Sequence, residues 1–416
     1  MIAEITPTCS LVSEAEIIPA RPLVSEAELR NTTSIAQLTT MRVGGAFAGL
    51  TVCRTEQELI AGAARNWASD EPWLLLGGGS NTVVSDAGYP GEVVLVRTEG
   101  IEPVTDPALP SGSVRVRVAA GHDWDSLVRW SVECGYAGLE VLSGIPGLAG
   151  SAPVQNIGAY GGELAQVLHS VRVYERESGQ VRELKAAQLG LGYRTSAFKR
   201  GYAAVILSVD LILRNHSAQR DPLAMPVVFP QLATVLGVKL GCQLPLRQVR
   251  EAVLRVRAAK GMVWQLADKN SWSAGSFFVN PIVSQGFARG LPENAPRYPV
   301  AAPQRPDLVT TFEELAAGQP LQLHYLTADM LQDEQEAGER VKLSAAWLIE
   351  NAGVRRGFSL PGSGAAVSEL HTLAITNRGS ATAADVAQLA RYIVQLVQAE
   401  FGVVLVPEPN IYGLQV

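Results

Sequence analysis

Apolar positions along this chain keep two rhythms, one of period two and one of period 3.6, interrupted by glycine and proline. Val114, Val116 and Val118 alternate with Arg115 and Arg117, the pattern of a half-exposed strand. Leu74, Leu75 and Leu76 predict a short buried strand running directly into Gly77. Ahead of Leu59, Ile60 and Ala63, Thr55 and Glu58 have the spacing of a capping box, so a helix starts there. Asp123 predicts the cap of a second helix, which carries Leu127, Trp130 and Cys134. A third opens at Thr382 and Asp385; Val386, Leu389, Ile393 and Leu396 follow the helical period until Gly402 stops it. Residues 403–406 then read as a strand that delivers Pro407 and Glu408. Strands and helices mixed in this way predict α+β layers rather than a helix bundle.

Prolines divide the chain. Pro222, Pro226 and Pro230 follow the strand-like stretch 203–213 and set a boundary near residue 215. Five prolines from Pro292 to Pro306 mark 285–340 as a long irregular insertion. Residues 1–30 contain Leu-Val-Ser-Glu-Ala-Glu twice, at 11–16 and 23–28, and read as a solvated tail.

Composition then removes several classes. A chain of 416 residues allows roughly two to four domains. With 47% hydrophobic and 18% charged residues it is no disordered chain. The excess of 40 acidic over 34 basic residues, net −6, argues against a nucleic-acid binder. Cys9, Cys53, Cys134 and Cys242 lack the spacing of a zinc or redox pair, so the thiols read as inert and no metal site is expected. The N-terminus has no secretory pattern and no apolar run reaches membrane-spanning length, so a soluble, cytoplasmic protein with no membrane contact is expected. With no heptad seam, a monomer is expected.

Candidate chemistry sits in two glycine-rich stretches. Gly77-Gly78-Gly79-Ser80-Asn81 follows a strand, where successive main-chain N–H groups can turn inward as a nest for a diphosphate. It matches neither a Walker loop nor the dinucleotide Gly-x-Gly-x-x-Gly, and a plain flexible turn is the competing reading. The second stretch runs from Ser143 to Gly161, with five glycines and two prolines in nineteen residues. Small residues at that density bring backbone against a flat ligand; Gln155 and Asn156 can hydrogen-bond ring heteroatoms, and Tyr160 can stack.

Read together, Gly77–Asn81, Gly144-Ile145-Pro146-Gly147 and Gln155-Asn156-x-Gly158-Ala159-Tyr160-Gly161 resemble the UDP-N-acetylenolpyruvoylglucosamine reductases. The likeness continues through Tyr193-Arg194-Thr195-Ser196-Ala197-Phe198-Lys199 and Ala274-Gly275-Ser276-Phe277-Phe278-Val279-Asn280-Pro281. It extends to Ala346-Trp347-Leu348-Ile349-Glu350, Asn377-x-Gly379-x-Ala381-Thr382 and Pro407-Glu408.

The resemblance implies a para-cresol-methylhydroxylase/vanillyl-alcohol-oxidase-like FAD-binding domain in two parts, 31–98 and 99–214. A smaller α/β substrate domain, 215–416, follows. The implied activity is reduction of UDP-N-acetylglucosamine enolpyruvate to UDP-N-acetylmuramate for peptidoglycan, with non-covalent FAD and with NADPH as hydride donor. Implied FAD contacts are Gly77, Gly78, Gly79, Ser80, Asn81, Ser143, Gly144, Pro146, Gly147 and Gly150. They continue through Ser151, Gln155, Asn156, Gly158, Ala159 and Tyr160. Tyr193, Lys260 and Asn280 are implied substrate contacts.

Three polar residues are the implied catalytic set. Arg194 is always charged and can grip a carboxylate, Ser276 is the implied proton donor, and Glu408 orients or polarises the substrate carboxylate. Alone, each would read as a surface ion pair, a turn serine and a solvated acid. The chain departs from the family at Val279, where a lysine is common. It departs again at Phe229, which stands nearest to a tyrosine that covers the nucleotide in one subclass. Two rival readings are another flavin oxidase on the same fold and a non-catalytic flavin- or sugar-nucleotide-binding protein.

Overall fold

The computed structural model describes residues 25–300 and 340–416. Positions 1–24 of the expected tail and 301–339 of the expected insertion lie outside them. The chain divides into two compact units, Met1–Phe277 with Arg355–Tyr392 and Pro407–Val416, and Phe278–Val354 with Ile393–Val406.

In the first unit, a parallel three-stranded sheet has the order Phe47–Cys53, Tyr89–Val96, Trp73–Leu76. The helix Glu56–Trp67 starts as expected, with Thr55 and Glu58 completing a reciprocal capping box, and it buries Leu59 and Ala63 completely. A larger antiparallel sheet runs Val181–Lys185, Leu168–Glu175, Ala204–Asn215, Ser113–Ala119, Ile101–Val104. Val116 and Val118 enter its core at 0% exposure. On the opposite face Arg115 and Arg117 converge on Asp210, itself 0% exposed, with each Nε 2.8 Å from one of its oxygens. The period-two pattern is therefore correct, but its polar face is occupied by a buried ion-pair cluster instead of solvent.

Asp123 caps the helix Trp124–Glu133, as its side chain accepts from Ser126 N–H at 2.7 Å. Two residues on, Asp125 takes Arg250 in a bidentate pair at 2.7 and 2.8 Å and accepts from Gly144 N–H at 2.6 Å. One carboxylate thus fixes the start of the second glycine-rich stretch to two helices.

The expected strand over 403–406 forms no ladder. The segment is extended and alternates burial, with Val403 and Leu405 inside and Val404 and Val406 exposed, but its hydrogen bonds go to irregular backbone, as from Val279 N–H to Val406 O. The ladder forms slightly later, where Asn410–Tyr412 pairs in parallel with Thr82–Val84.

The second unit contains a small antiparallel sheet ordered Ile282–Ser284, Arg340–Leu343, Arg297–Pro299, with the helices Gln285–Arg289 and Ala345–Asn351. The proline-rich stretch is accordingly not irregular throughout. Prolines remove backbone donors, and the Arg297 guanidinium compensates by donating to the carbonyls of Ala288, Leu291, Pro292, Glu293 and Ala295. Among the described residues no helix is long and apolar enough to cross a membrane.

Candidate active site

Close backbone packing builds the site first. In Gly77–Asn81, Gly79 has φ +61° and a side chain there would strike the carbonyl of Leu38, so only glycine fits. Gly78 lies against Gly147, and a Cβ on it would come within 2.9 Å of Gly147 Cα. The two glycine-rich stretches therefore touch main chain to main chain. Among the described residues nothing accepts from the N–H groups of Gly78, Gly79 or Ser80, which leaves a row of donors suited to an anion.

Beside this contact lies a cavity of about 560 Å³, within the first unit. That volume falls in the range of small-molecule and cofactor sites. Gly77 to Asn81, Pro146, Gly147, Gly150, Ser151, Gln155 and Gly158 line it, and so do Arg194, Ser276 and Glu408. The catalytic candidates thus come together from segments far apart in sequence.

Arg194 is held in the left-handed region at φ 54°, a conformation that costs a non-glycine residue free energy and that tight turns at functional sites often retain. Gly192 and Thr195 exchange backbone hydrogen bonds around it, and Ser196 Oγ donates to Val154 O at 2.6 Å. The guanidinium donates to the carbonyl of Gly158 at 2.9 Å. Its Nε is 3.2 Å from Glu408 Oε1, an ion pair without hydrogen-bond alignment, since this N–H has no acceptor in line. A ligand carboxylate could take that direction.

Glu408 is anchored through its main chain. Its N–H donates to Phe277 O at 2.9 Å, and its carbonyl accepts from Asn81 Nδ2 at 3.3 Å and Lys199 Nζ at 3.2 Å. Asn81 Nδ2 also reaches Gln155 Oε1 at 2.7 Å, tying the first glycine loop to the second. Burial pushes the Glu408 carboxyl above the ordinary carboxylate range, against the opposing pull of the Arg194 and Lys199 cations. Ser276, half-buried one residue before Phe277, makes no hydrogen bond through its hydroxyl among the described residues. That hydroxyl is free to donate into the cavity.

Other expected residues lie outside the lining. Ser143 is fully buried and donates to Glu140 O at 2.6 Å; Gly144 is tied to Asp125. Asn156, at φ 44°, spends its side chain on Glu163, Gly192 and Ala165. Ala159 pairs with Gly162 in a two-residue ladder. The Tyr160 ring meets Phe229 edge-on at 5.7 Å, and Lys260 Nζ lies 6.0 Å from that ring while donating to Gln231. Tyr193 has the Arg194 guanidinium 5.7 Å from its ring centre. Asn280 belongs to the second unit, where it accepts from Ala345 N–H at 2.9 Å at the start of a helix.

Arg257 and Lys199 also line the cavity. Arg257 is 7% exposed, its Nε has no acceptor, and burial pulls its pKa down. The signal for it was present in the sequence: Arg250 and Arg257 fall on the apolar stripe Leu246, Val249, Val253, Val256 of the helix Leu246–Ala258. Three cations against one carboxyl, with a row of unused main-chain donors, fit an anionic ligand that carries a flat ring system. FAD has that chemistry.

Comparison with known proteins agrees with this assembly. A family model described as UDP-N-acetylenolpyruvoylglucosamine reductase, C-terminal domain, matches residues 266–412, and an FAD binding domain model matches 47–185. The UDP-N-acetylenolpyruvoylglucosamine reductase of Leifsonia xyli subsp. xyli is 50% identical over 384 residues, covering 92% of this chain and 98% of the relative. That of Nocardia farcinica is 42% identical over 386 residues, covering 93% and 90%. The crystal structure of the Thermus caldophilus reductase superposes with a TM-score of 0.54 at 24% identity, over 91% of this chain and 97% of the other, a likeness of fold. The expected α+β architecture with an FAD-binding part is borne out. Given identity of this depth along nearly the whole of both chains, this protein belongs to the UDP-N-acetylenolpyruvoylglucosamine reductase family.

Proposed function

We propose that the chain is an FAD-dependent oxidoreductase that uses NADPH to reduce UDP-N-acetylglucosamine enolpyruvate to UDP-N-acetylmuramate, a peptidoglycan precursor. The observation that carries this reading is the shared cavity, lined by both glycine-rich stretches and by Arg194, Ser276 and Glu408. FAD would rest against Gly77–Asn81 and the 146–158 segment, and when bound it supplies the hydride chemistry between NADPH and substrate.

The chain's own residues handle charge and the proton. Hydride arrival at the terminal enolpyruvyl carbon leaves negative charge on the carbon beside the carboxylate. Arg194, whose Nε–H has no acceptor in line, holds the substrate carboxylate and stabilises the enolate; a preorganised group of this kind contributes about 3–4 kcal/mol to the transition state. Ser276 then gives its hydroxyl proton to the enolate carbon and recovers one from solvent. Glu408, whose burial favours the protonated form, can share a hydrogen bond with the substrate carboxylate where two ionised carboxylates would repel.

In this reading 31–98 and 99–214 form the FAD-binding region and 215–416 the substrate-binding region. Tyr193, Lys260 and Asn280 contact substrate, and a monomer works in the cytoplasm; light scattering and cell fractionation check the last two. The function itself is tested by reducing the purified flavoprotein anaerobically with NADPH and mixing it with the enolpyruvyl substrate. Rapid reoxidation is expected, and Ser276→Ala should slow it by several orders of magnitude while NADPH reduction survives. Equal loss in both half-reactions would remove Ser276 from the proton step. An oxidase would react with oxygen and ignore the substrate, and a pure binder would do neither.

A further inference from the structure

Lys199 lies five residues after Arg194, and its ammonium points at the same carboxyl segment from another side. Nζ donates to Glu408 O at 3.2 Å and to Asn410 Oδ1 at 3.1 Å. Both acceptors are neutral, so an ammonium that lines the cavity has no carboxylate in hydrogen-bond contact. Lys199 keeps part of its side chain exposed, and desolvation where its ammonium faces the cavity lowers its pKa. The compensating negative charge nearby is Glu408.

A lysine needed only to tie down a turn would be replaceable by a neutral donor. Asn81 already donates to the same Glu408 carbonyl, and Asn410 N–H donates to Asn81 O at 2.9 Å. The backbone of this segment thus keeps other anchors, and the distinctive contribution of Lys199 is its charge. Among the described residues, the ionisable groups that act on Glu408 are Arg194 from the 192–195 turn and Lys199, and both oppose the effect of burial. Arg194 is committed to the substrate carboxylate in the proposed reaction; Lys199 is not.

We propose that Lys199 is a positioning residue for Glu408: through its contacts with Glu408 O and Asn410 Oδ1 it clamps the 408–410 segment against the cavity and holds a positive charge beside the acid. The inference rests on the role proposed above for Glu408, and it adds a residue that places that acid and sets the charge around it.

The test follows Glu408 directly and then the reaction. Protein labelled with carboxyl-13C glutamate is titrated by NMR, with the Glu408 signal assigned by its disappearance in Glu408→Gln. In Lys199→Gln and Lys199→Met the midpoint should move to higher pH, and in Lys199→Arg it should stay near that of the parent. Substrate-driven flavin reoxidation, measured as kcat/KM against pH, should shift in the same direction, with NADPH reduction of the flavin unaffected. An unmoved midpoint in folded, FAD-binding Lys199→Gln overturns the proposal. So does failure of both neutral variants to fold while Lys199→Arg folds, which would make the residue purely structural. If the midpoint moves but Glu408→Gln turns over substrate normally, the inference about Lys199 stands and the role assigned to Glu408 fails.

Discussion

Replacing Gly78 by alanine tests the close approach on which the cavity is built. The new Cβ would lie 2.9 Å from Gly147 Cα, 3.4 Å from its carbonyl carbon and 3.6 Å from its nitrogen. Carbon atoms rest comfortably at about 3.5–4.0 Å, so the nearest contact is short by roughly 0.6–1 Å. Neither side is a flexible side chain. The Gly147 carbonyl accepts from Trp124 N–H at 3.0 Å, and the Gly79 carbonyl accepts from Thr40 N–H at 3.1 Å, so both loops are tethered. Overpacking of this kind costs about 1–3 kcal/mol. If the loops part to relieve it, their donors leave the cofactor, and the same energy appears as about 5- to 150-fold weaker FAD binding. Titration of apoprotein with FAD, followed by flavin fluorescence, measures this, alongside thermal unfolding. Gly49→Ala is the control, because its Cβ would meet only Glu92 Cγ at 3.8 Å. Wild-type affinity and wild-type Tm in Gly78→Ala would refute the argument that the two backbones must touch.

Other positions give independent checks. Burial raises the Glu408 pKa above its unfolded value, so the native state holds the proton more tightly and apoprotein stability falls as pH rises through that window. Glu408→Gln should remove this slope and unfold at higher urea than the parent at pH 8 but not at pH 4, and parallel pH profiles would contradict the assignment. Asp210→Asn leaves Arg115 and Arg117 without their buried anion and should cost about 3 kcal/mol by denaturant unfolding; a loss under 1 kcal/mol would mean the cluster is dispensable. Asp86 accepts from Ala383 and Ala384 N–H at 2.8 and 2.9 Å, so Asp86→Ala should destabilise the helix Ala383–Phe401 by about 0.5–2 kcal/mol. Unchanged amide exchange in that first turn would count against it.

What the sequence made legible was mostly local. Thr55 with Glu58, Asp123, and Thr382 with Asp385 mark helix starts that the structure places where the capping pattern puts them. Asp86 was illegible, because it caps a helix 297 positions away. Arg115 and Arg117 looked solvent-facing because periodicity reports which face a residue takes but not what covers that face. The extended run 403–406 looked like a strand because alternating burial is shared by ladders and by lone extended chain. For the site, glycine density and motif order pointed to the lining, whereas only the folded cavity assigns Lys199 and the stripe residue Arg257 to it.

Glu408 O accepts from Asn81, 327 positions upstream, and two residues later the chain lays Asn410–Tyr412 along Thr82–Val84. The first glycine loop and the acid of the proposed reaction are thereby latched by one short parallel splice. Severing the polypeptide just before residue 407 would leave the glycine loops in place yet strip them of their acid. Such a clipped protein should be yellow and inert, which separates cofactor loading from turnover in a single cut.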